Sequence, residues 1–342
     1  MPAPTHPART ARLAALLAAA AVAAAGCGTG AAPEQNEADA DWAAVTIEHA
    51  YGSTEITQRP ERIVTVGWSD EATLLELGIV PVGMTASVYA GDDEGYLPWD
   101  VEKLEEMGEE PPELINTDDG IPAEQVANLA PDLILGVQSG MEEDEYDQLS
   151  EIAPTVPYLD QPWMTEWSEQ TLTIGRAVGR EEDAQAIVDA TSQHITDAAE
   201  AHPEFAETTF AVGSVLPGTN DLGFYVDADA RPVLMRGLGF QQAPFTEDME
   251  VPDGQFYGTM SLENADQVDA DLIVMWFNSA DEREQIEDNE VFQRIGAVES
   301  GGYVAYDDPA MAMAISTPNP LTIPWVLEDF TTDLAAAVEA RG

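Results

Sequence analysis

The chain has 342 residues, of which 65 are Asp or Glu and only 12 are Lys or Arg, so its formal net charge is −53. Hydrophobic residues make up 44% of it, which is enough to build a large core and excludes a disordered acidic chain. Binding to nucleic acid is also excluded, because phosphate backbones need clustered basic residues, whereas Lys103 is the only lysine and the eleven arginines are scattered.

The first 26 residues have the order of an export signal. Arg9 and Arg12 precede an apolar run of about 13 residues, which is shorter than the roughly 20 that a membrane-spanning helix needs. Cys27, the only cysteine, follows Ala-Ala-Gly, an arrangement similar to the lipobox of bacterial lipoproteins, where cleavage exposes a cysteine for lipid attachment. We therefore predict a lipoprotein signal at 1–26, lipidation of Cys27, and a lipid-anchored protein on the extracytoplasmic face of the cell membrane. A cleaved secretory signal with an incidental cysteine is the alternative.

Residues 27–44 are predicted to form a flexible tether, because the run from Gly28 to Asp41 is small, polar and acidic. Removal of the signal takes two arginines away, which changes the net charge from −53 to −55. We interpret this charge as adaptation to a saline or alkaline exterior, since salt shortens the Debye length to about 3 Å at 1 M. An acidic surface that serves only solubility is the alternative.

Beyond the tether, short apolar runs alternate with short helical segments. The helical segments are Glu71–Leu77, ended by Gly78, and Ala123–Leu129, ended by Pro131. The apolar runs are nearly continuous, which is typical of parallel strands covered by helices on both faces. These runs lie at 63–67, 82–85, 133–137, 210–213, 272–276 and 303–306. The predicted fold class is α/β.

One helix-strand unit occurs twice. Segment 123–135 matches segment 262–274, with Glu, Asp, Leu and Ile recurring at an offset of 139 residues. So long a period predicts two copied domains, and two Rossmann-like lobes that face each other form one ligand cleft at the carboxyl ends of their strands. Chance similarity between two such units is the alternative.

A single long helix is predicted between the two copies. Apolar or small residues from Arg180 to Ala201 follow 3.6-residue spacing, and His202-Pro203 ends the pattern. One helix resists bending, so the lobes are expected to rock only slightly when ligand binds. The predicted organisation is an N-terminal lobe at 45–179, a rigid connecting helix at 180–202 and a C-terminal lobe at 203–342.

Several sequence blocks occur in an order that resembles a known family. Among them are Arg59-Pro60-Glu61-Arg62-Ile63-Val64 and Leu129-Ala130-Pro131-Asp132-Leu133-Ile134. The others lie at 45–54, 67–70, 77–83, 149–156, 238–240, 256–257 and 261–263. Together, from about residue 45 to the C-terminus, they resemble the iron–siderophore ABC-transporter substrate-binding lipoproteins.

This resemblance implies a two-lobed protein without catalysis or a resident cofactor, which delivers a ferric siderophore to a membrane permease. The residues are compatible with this, because no Gly-x-Ser-x-Gly turn occurs and the mature chain has only three histidines, His49, His194 and His202. Three scattered histidines also predict no site for bare zinc or manganese. A monomer is expected. An extracellular enzyme and an anchored interaction protein without a small ligand are the alternatives from other classes.

The candidate ligand residues follow predicted strands. Trp68 comes after the first strand and Trp276-Phe277 after the equivalent late strand, where the chain turns into the cleft. Aromatic walls hold a bulky chelate by burial and by stacking, which is worth roughly 0.5–1.5 kcal/mol per pair. The further candidates are Trp99, Gln138, Ser139, Tyr225 and Met311.

Arg231 is the polar candidate, since it matches an arginine that the family carries before the helix leading to Leu238-Gly239-Phe240. A guanidinium donates two parallel hydrogen bonds, which suit the metal-bound oxygens of hydroxamate or carboxylate groups. One or two arginines do not make a strongly cationic pocket, so we expect a neutral or cationic ferric hydroxamate rather than a trianionic catecholate. Cobalamin or haem would suit the same aromatic walls and is the alternative.

The resemblance also implies docking to the permease through one acidic residue near the top of each lobe. Glu263 matches the second-lobe residue through Ser261-Leu262-Glu263. In the first lobe the family carries the glutamate where this chain has Ala72, so Asp70 and Glu71 compete, and Glu71 is the residue predicted.

Overall fold

The computed structural model describes residues 42–216, 219, 221–252 and 255–341. Its first elements are two antiparallel strands, β1 (Val45–His49) and β2 (Gly52–Ile56). Gly52 adopts a φ of +124° where the second strand begins, a conformation that glycine reaches without steric cost. Ile47 and Ile56 are buried and pack into the apolar core beneath the first sheet.

The first sheet is entirely parallel. Its strands are β3 (Ile63–Thr65), β4 (Gly83–Thr85), β5 (Glu113–Ile115), β6 (Leu133–Leu135) and β7 (Thr155–Val156). They pair in the order β5-β4-β3-β6-β7. Its helices are α1 (Asp70–Glu76), α2 (Pro98–Met107), α3 (Ala123–Asn128), α4 (Glu143–Ser150) and α5 (Trp167–Ala177). Every residue of β3 and β6 is buried, which explains why their sequences are nearly continuous apolar runs.

A long helix, α6 (Glu181–Ala201), follows this first lobe. It begins one residue after the predicted start and ends one residue before the predicted end, and its 21 residues span about 31 Å. Gly175 of α5 permits the close packing of the two helices, because a Cβ at this position would lie 2.2 Å from the Cβ of Ala184.

The second sheet mixes parallel and antiparallel strands. Its strands are β8 (Thr209–Val215), β9 (Leu222–Tyr225), β10 (Gln241–Gln242), β11 (Tyr257–Met260), β12 (Leu272–Trp276) and β13 (Tyr303–Tyr306). They pair in the order β11-β9-β8-β12-β13, with β10 beside β8. Its helices are α7 (Ala230–Gly237), α8 (Ala280–Glu287), α9 (Gly296–Ser300), α10 (Pro309–Ser316) and α11 (Thr322–Ala340). β8, β12 and β13 are parallel, whereas β9 and β11 are antiparallel strands that no apolar run had predicted.

The repeated helix-strand unit occupies the same place in both sheets. β6 lies beside the central β3, and β12 lies beside the central β8. The recurring aspartate makes equivalent hydrogen bonds in the two copies. Asp132 accepts hydrogen bonds from the backbone N–H groups of Glu61 and Arg62, both at 2.8 Å, and Asp271 accepts from the N–H and the hydroxyl of Thr209, also at 2.8 Å. The carboxylate thereby ties the two middle strands together where they begin.

The lobes share an apolar core as well as the connecting helix. Leu75 and Leu104 of the first lobe belong to the same buried cluster as Ile323 and Phe330 of α11. Helix α6 packs against α5 on one side and against α7 and α11 on the other. Both halves of the chain therefore contribute to one buried core. Across the described ranges, the helices are too short or too polar to cross a membrane.

Candidate ligand-binding site

A cavity of about 220 Å³ opens between the lobes. Its walls come from loops that follow β3, β6 and β7 in the first lobe, and from the start of α7 and neighbouring segments in the second. The lining residues are Trp68, Gln138, Trp163, Asp229, Ala230, Arg231, Phe256 and Ser316. A second cavity of about 180 Å³ adjoins it, since Met164 and Ala228, which line it, are the chain neighbours of Trp163 and Asp229. The first cavity lies in the cleft between the lobes, at the carboxyl ends of the central first-lobe strands, where open α/β sheets bind ligands.

The first-lobe wall is an aromatic pair held by backbone hydrogen bonds. The rings of Trp68 and Trp163 lie 4.7 Å apart, and Trp68 is 38% exposed in an otherwise buried loop. The Trp68 N–H donates to the carbonyl of Gln138 at 2.8 Å, and the Gln138 side-chain amide donates to the carbonyl of Trp163 at 3.0 Å. The Gln138 Oε1 atom is buried and has no hydrogen-bond partner among the described residues. This wall therefore presents a large apolar surface and one spare acceptor.

The second-lobe wall is built around an ion pair. Arg231 donates from Nη1 to the Asp229 carboxylate at 2.8 Å and from Nε to the Ser316 hydroxyl at 3.1 Å. Asp229 also accepts from the backbone N–H of Arg231 and thereby caps α7. Burial raises the pKa of Asp229 although the positive charge of Arg231 opposes the shift. Arg231 Nη2 donates no hydrogen bond within the described part of the chain, so it is available to a bound ligand.

Three aromatic rings surround this guanidinium. Its Cζ atom lies 3.9 Å from the ring centre of Tyr225, 5.1 Å from that of Trp276 and 5.6 Å from that of Phe256. Each contact of this kind contributes about 0.5–2 kcal/mol when the cation is desolvated. The arginine is therefore fixed in position before any ligand arrives.

The structure brings several of the predicted residues together. Trp68, Gln138 and Arg231 line the cavity, and Tyr225 and Trp276 form the aromatic support behind Arg231. Five other residues line the cavity without having been predicted, namely Trp163, Asp229, Ala230, Phe256 and Ser316. Asp229 had a detectable signal, because an aspartate two residues before Arg231-Pro232 is typical of a helix N-cap. Trp163 lies in a loop with a φ of +64°, which no sequence pattern indicated.

Three predicted ligand residues, Trp99, Ser139 and Phe277, were wrong, because the structure buries them outside the cavity lining. Trp99 is only 3% exposed and packs against Trp325 with ring centres 5.4 Å apart. Ser139 is buried, donates to the Gly136 carbonyl and accepts from the Met141 N–H, so it closes a turn.

Phe277 completes this correction, and Met311 stays a prediction. Phe277 belongs to the buried core of the second lobe, whereas its neighbour Trp276 belongs to the other large cluster, since successive residues of an extended chain face opposite sides. Met311 on α10 is half-buried against the core.

The first-lobe docking prediction was also wrong. Glu71 is 2% exposed and Asp70 is fully buried, so neither carboxylate can meet a partner surface. Burial raises the pKa of Glu71 well above its usual range, and the nearby charge of Asp100 adds to the shift. Burial likewise raises the pKa of Asp100 to about 8. Charged residues are almost never buried without partners, so the acidic residue that the family resemblance selected was expected at the surface.

The other acidic candidate lies where a partner can reach it. Glu263 is exposed at the start of a short 3-10 helix, Leu262–Gln267, which precedes β12. Its counterpart in the repeat, 139 residues earlier, is Glu124, which is exposed in the first turn of α3.

Two α/β lobes, one long connecting helix and a cleft between the lobes define a class of extracytoplasmic binding protein. The chain belongs to the periplasmic binding protein family, whose model matches residues 63–310. It is 25% identical over 268 residues to the putative ABC transporter substrate-binding lipoprotein YhfQ of Bacillus subtilis (strain 168), covering 75% of this chain and 79% of that one.

Solved structures give the same picture. PiaA of Streptococcus pneumoniae TIGR4 in complex with ferrichrome superposes with a TM-score of 0.78 at 28% identity, over 86% of this chain and 99% of that one. A periplasmic solute binding protein of Mycobacterium smegmatis gives a TM-score of 0.74 at 26% identity, over 86% and 99% of the two chains. Staphylococcus aureus SirA complexed with staphyloferrin B shares the fold at 20% identity and a TM-score of 0.69, over 85% and 98%.

Proposed function

We propose that this protein captures a ferric siderophore of the hydroxamate type outside the cytoplasm and delivers it to the permease of an ABC importer. The observation that carries the proposal is the cleft itself, in which an aromatic pair faces a fixed guanidinium with a free Nη2 donor. Aromatic surface suits a bulky chelate, and the guanidinium suits its metal-bound oxygens. The likeness to PiaA, which was solved in complex with ferrichrome, supports this ligand class.

The charge of the cleft favours a neutral or cationic chelate. Arg231 is the basic residue among those lining the two cavities, and Asp229 compensates its charge at 2.8 Å. Asp160 and Glu169 line the adjoining cavity. A triscatecholate complex carries three negative charges into this surface and is repelled, whereas a neutral hydroxamate complex is not.

Fluorescence titration tests this choice. We expect ferrichrome, a neutral ferric hydroxamate, to quench tryptophan fluorescence with high affinity, and a ferric triscatecholate to bind far more weakly. Tight binding of the triscatecholate alone would contradict the hydroxamate assignment. Binding of neither, with haem or cobalamin bound instead, would contradict the siderophore assignment altogether.

The role of the guanidinium is testable with a matched pair of variants. Arg231→Lys keeps the positive charge beside Asp229 but loses the planar fork, so we expect affinity for ferrichrome to fall about tenfold. Arg236→Lys changes an arginine on the same helix that pairs with Asp227 at the surface, and it should leave affinity unchanged. Equal effects from both variants would count against a ligand role for Arg231.

For docking to the permease we propose Glu124 and Glu263, one on each lobe. They occupy equivalent positions in the repeat, and both are exposed before a central strand. Charge reversal at either residue should impair ferrichrome uptake by cells while affinity for ferrichrome stays unchanged. Glu299→Arg reverses an exposed charge elsewhere on the second lobe and is the control. Loss of affinity together with uptake would contradict the docking assignment.

The membrane anchor remains part of the proposal. The signal at 1–26, Cys27 and most of the tether lie outside the described residues. The Bacillus subtilis relative is named a lipoprotein, which supports lipid attachment at Cys27 and a location on the extracytoplasmic face. We also propose that the protein acts as a monomer and not as an enzyme, in keeping with its binding-protein relatives.

A further inference from the structure

A buried carboxylate joins two of the first-lobe loops that reach the ligand cavity. Asp70, the first residue of α1, is fully buried. Its Oδ2 atom accepts a hydrogen bond from the Val137 N–H at 2.9 Å, and its Oδ1 atom accepts from the Gln138 N–H at 3.2 Å. The side-chain amide of Gln170 donates to Oδ1 at 2.7 Å. The loop after β6 is thus fastened to the start of α1 through one side chain.

The same contacts reach the loop after β3. The Gln170 amide nitrogen also lies 3.3 Å from the carbonyl oxygen of Trp68 and so joins that loop to Asp70. The Trp68 N–H in turn donates to the Gln138 carbonyl at 2.8 Å. Both Trp68 and Gln138 line the ligand cavity. Two of the three first-lobe residues that line this cavity therefore depend on one carboxylate and its donors.

The backbone beside Asp70 has a strained conformation that these hydrogen bonds stabilise. Ser69 has a φ of +62°, a left-handed conformation that costs a residue other than glycine on the order of 1–3 kcal/mol and persists only where the surroundings enforce it. A Cβ at Gly67 would lie 2.3 Å from Asp70 Oδ2, so the carboxylate occupies the space that a side chain there would take. The turn 67–70 is shaped around the carboxylate.

We propose that Asp70 is the positioning residue of the ligand site, whose carboxylate holds Trp68 and Gln138 in the arrangement that receives the chelate. This inference rests on the function proposed above. An ionised carboxylate accepts hydrogen bonds only, and here it meets three donors. An asparagine of the same shape would turn its own N–H₂ group towards one of the backbone N–H groups and lose that contact.

The electrostatic surroundings of Asp70 give this role a pH signature. Burial raises the pKa of Asp70 to about 6, although its hydrogen-bond donors oppose the shift. Its neighbours are Glu71 on its own helix, which interacts electrostatically with both Asp70 and Asp100 of α2, and the neutral Gln170 from α5. Below pH 6 the carboxyl group binds a proton and loses one acceptor site. Ligand affinity should therefore fall as the pH drops through about 6.

Two neighbouring variants separate this role from a merely structural one. Asp70→Asn removes the ionisable acceptor, and Glu71→Gln neutralises the adjacent buried carboxylate, which makes none of these contacts. We expect ferrichrome titrations at pH 7.5 to show about tenfold weaker binding by Asp70→Asn, with no change between pH 7.5 and 5. Glu71→Gln should keep the affinity and the pH profile of the unmodified protein.

Hydrogen exchange provides a measurement that needs no ligand. A peptide containing Val137 and Gln138 should exchange its amides about tenfold faster in Asp70→Asn than in Glu71→Gln, because those N–H groups lose their acceptor. If Asp70→Asn does not fold, a decline in affinity below pH 6 that Glu71→Gln shares supports the inference, and a flat profile in both overturns it. Unchanged affinity and exchange in folded Asp70→Asn also overturn it. Failure of the unmodified protein to bind ferrichrome at pH 7.5 would contradict the proposed function instead.

Discussion

The two walls of the cleft are fixed in different ways. On the first-lobe wall, backbone hydrogen bonds and the buried Asp70 carboxylate hold Trp68 and Gln138. On the second-lobe wall, an ion pair inside an aromatic enclosure holds Arg231. Arginine does not titrate in proteins, whereas burial brings the pKa of Asp70 to about 6. The positive charge of the second-lobe wall therefore does not titrate, whereas the first-lobe wall depends on the protonation of Asp70.

We expect the largest effect from a variant that disrupts the second-lobe wall. Asp229→Ala removes the partner of a buried guanidinium and the N-cap of α7, so we expect the free energy of unfolding to fall by about 3–5 kcal/mol. Urea unfolding followed by circular dichroism measures this loss. Asp227→Ala removes the more exposed partner of Arg236 and should cost less than about 1 kcal/mol. Similar losses from the two variants would mean that the buried pair does not stabilise this wall.

A smaller effect concerns the buried acids of the first lobe. A carboxyl group with a raised pKa stabilises the fold in its neutral form, and that contribution is lost as the pH rises from its ordinary value towards the raised one. Burial raises the pKa of Asp100 to about 8, so the unmodified protein loses this contribution between pH 6 and pH 9. Asp100→Asn does not titrate, so its free energy of unfolding, relative to that of the unmodified protein, should rise by about 1–3 kcal/mol over this pH range.

Urea unfolding at fixed salt and at pH 6, 7.5 and 9 gives this comparison. Glu106→Gln changes an exposed carboxylate on the same helix and should follow the unmodified protein throughout. A stability difference for Asp100→Asn that does not grow with pH would show that Asp100 is not held neutral by the fold.

The smallest expected effect tests the exposed aromatic pair. Trp68→Ala removes a ring that is 38% exposed, so unfolding free energy should change by less than about 1 kcal/mol, while ferrichrome affinity falls about fivefold through lost stacking. Trp167→Ala, a change at a buried tryptophan in the same lobe, should show the reverse pattern with a large stability loss. A stability loss at Trp68 as large as that at Trp167 would assign Trp68 to the core.

Much of the fold follows from local patterns. The runs at β3, β6 and β12 are apolar because both of their faces are covered, and the 3.6-residue spacing identified α6 almost to the residue. β9 and β11 escaped prediction because each has only four residues and contains a glycine, so neither forms a continuous apolar run. The α/β class could thus be predicted, while the mixed pairing of the second sheet could not.

The site was only partly predictable. The rule that ligand residues follow the ends of strands identified Trp68, Gln138 and Trp276. The same rule selected Phe277, whose side chain faces the opposite side of the sheet. The burial of Glu71 could not be foreseen, because three carboxyl groups packed into one lobe contradict the usual placement of charge. Glu124 was visible in the repeat, yet its significance depended on knowing that it is exposed.

The apolar contact between α2 and α11 has a thermodynamic consequence. The rings of Trp99 and Trp325 meet 5.4 Å apart, within a cluster that draws on both halves of the chain. If either half unfolded alone, the apolar residues of the other half in this cluster would become exposed to water. The molecule should therefore lose its structure in a single cooperative step, with one calorimetric transition and equal calorimetric and van't Hoff enthalpies.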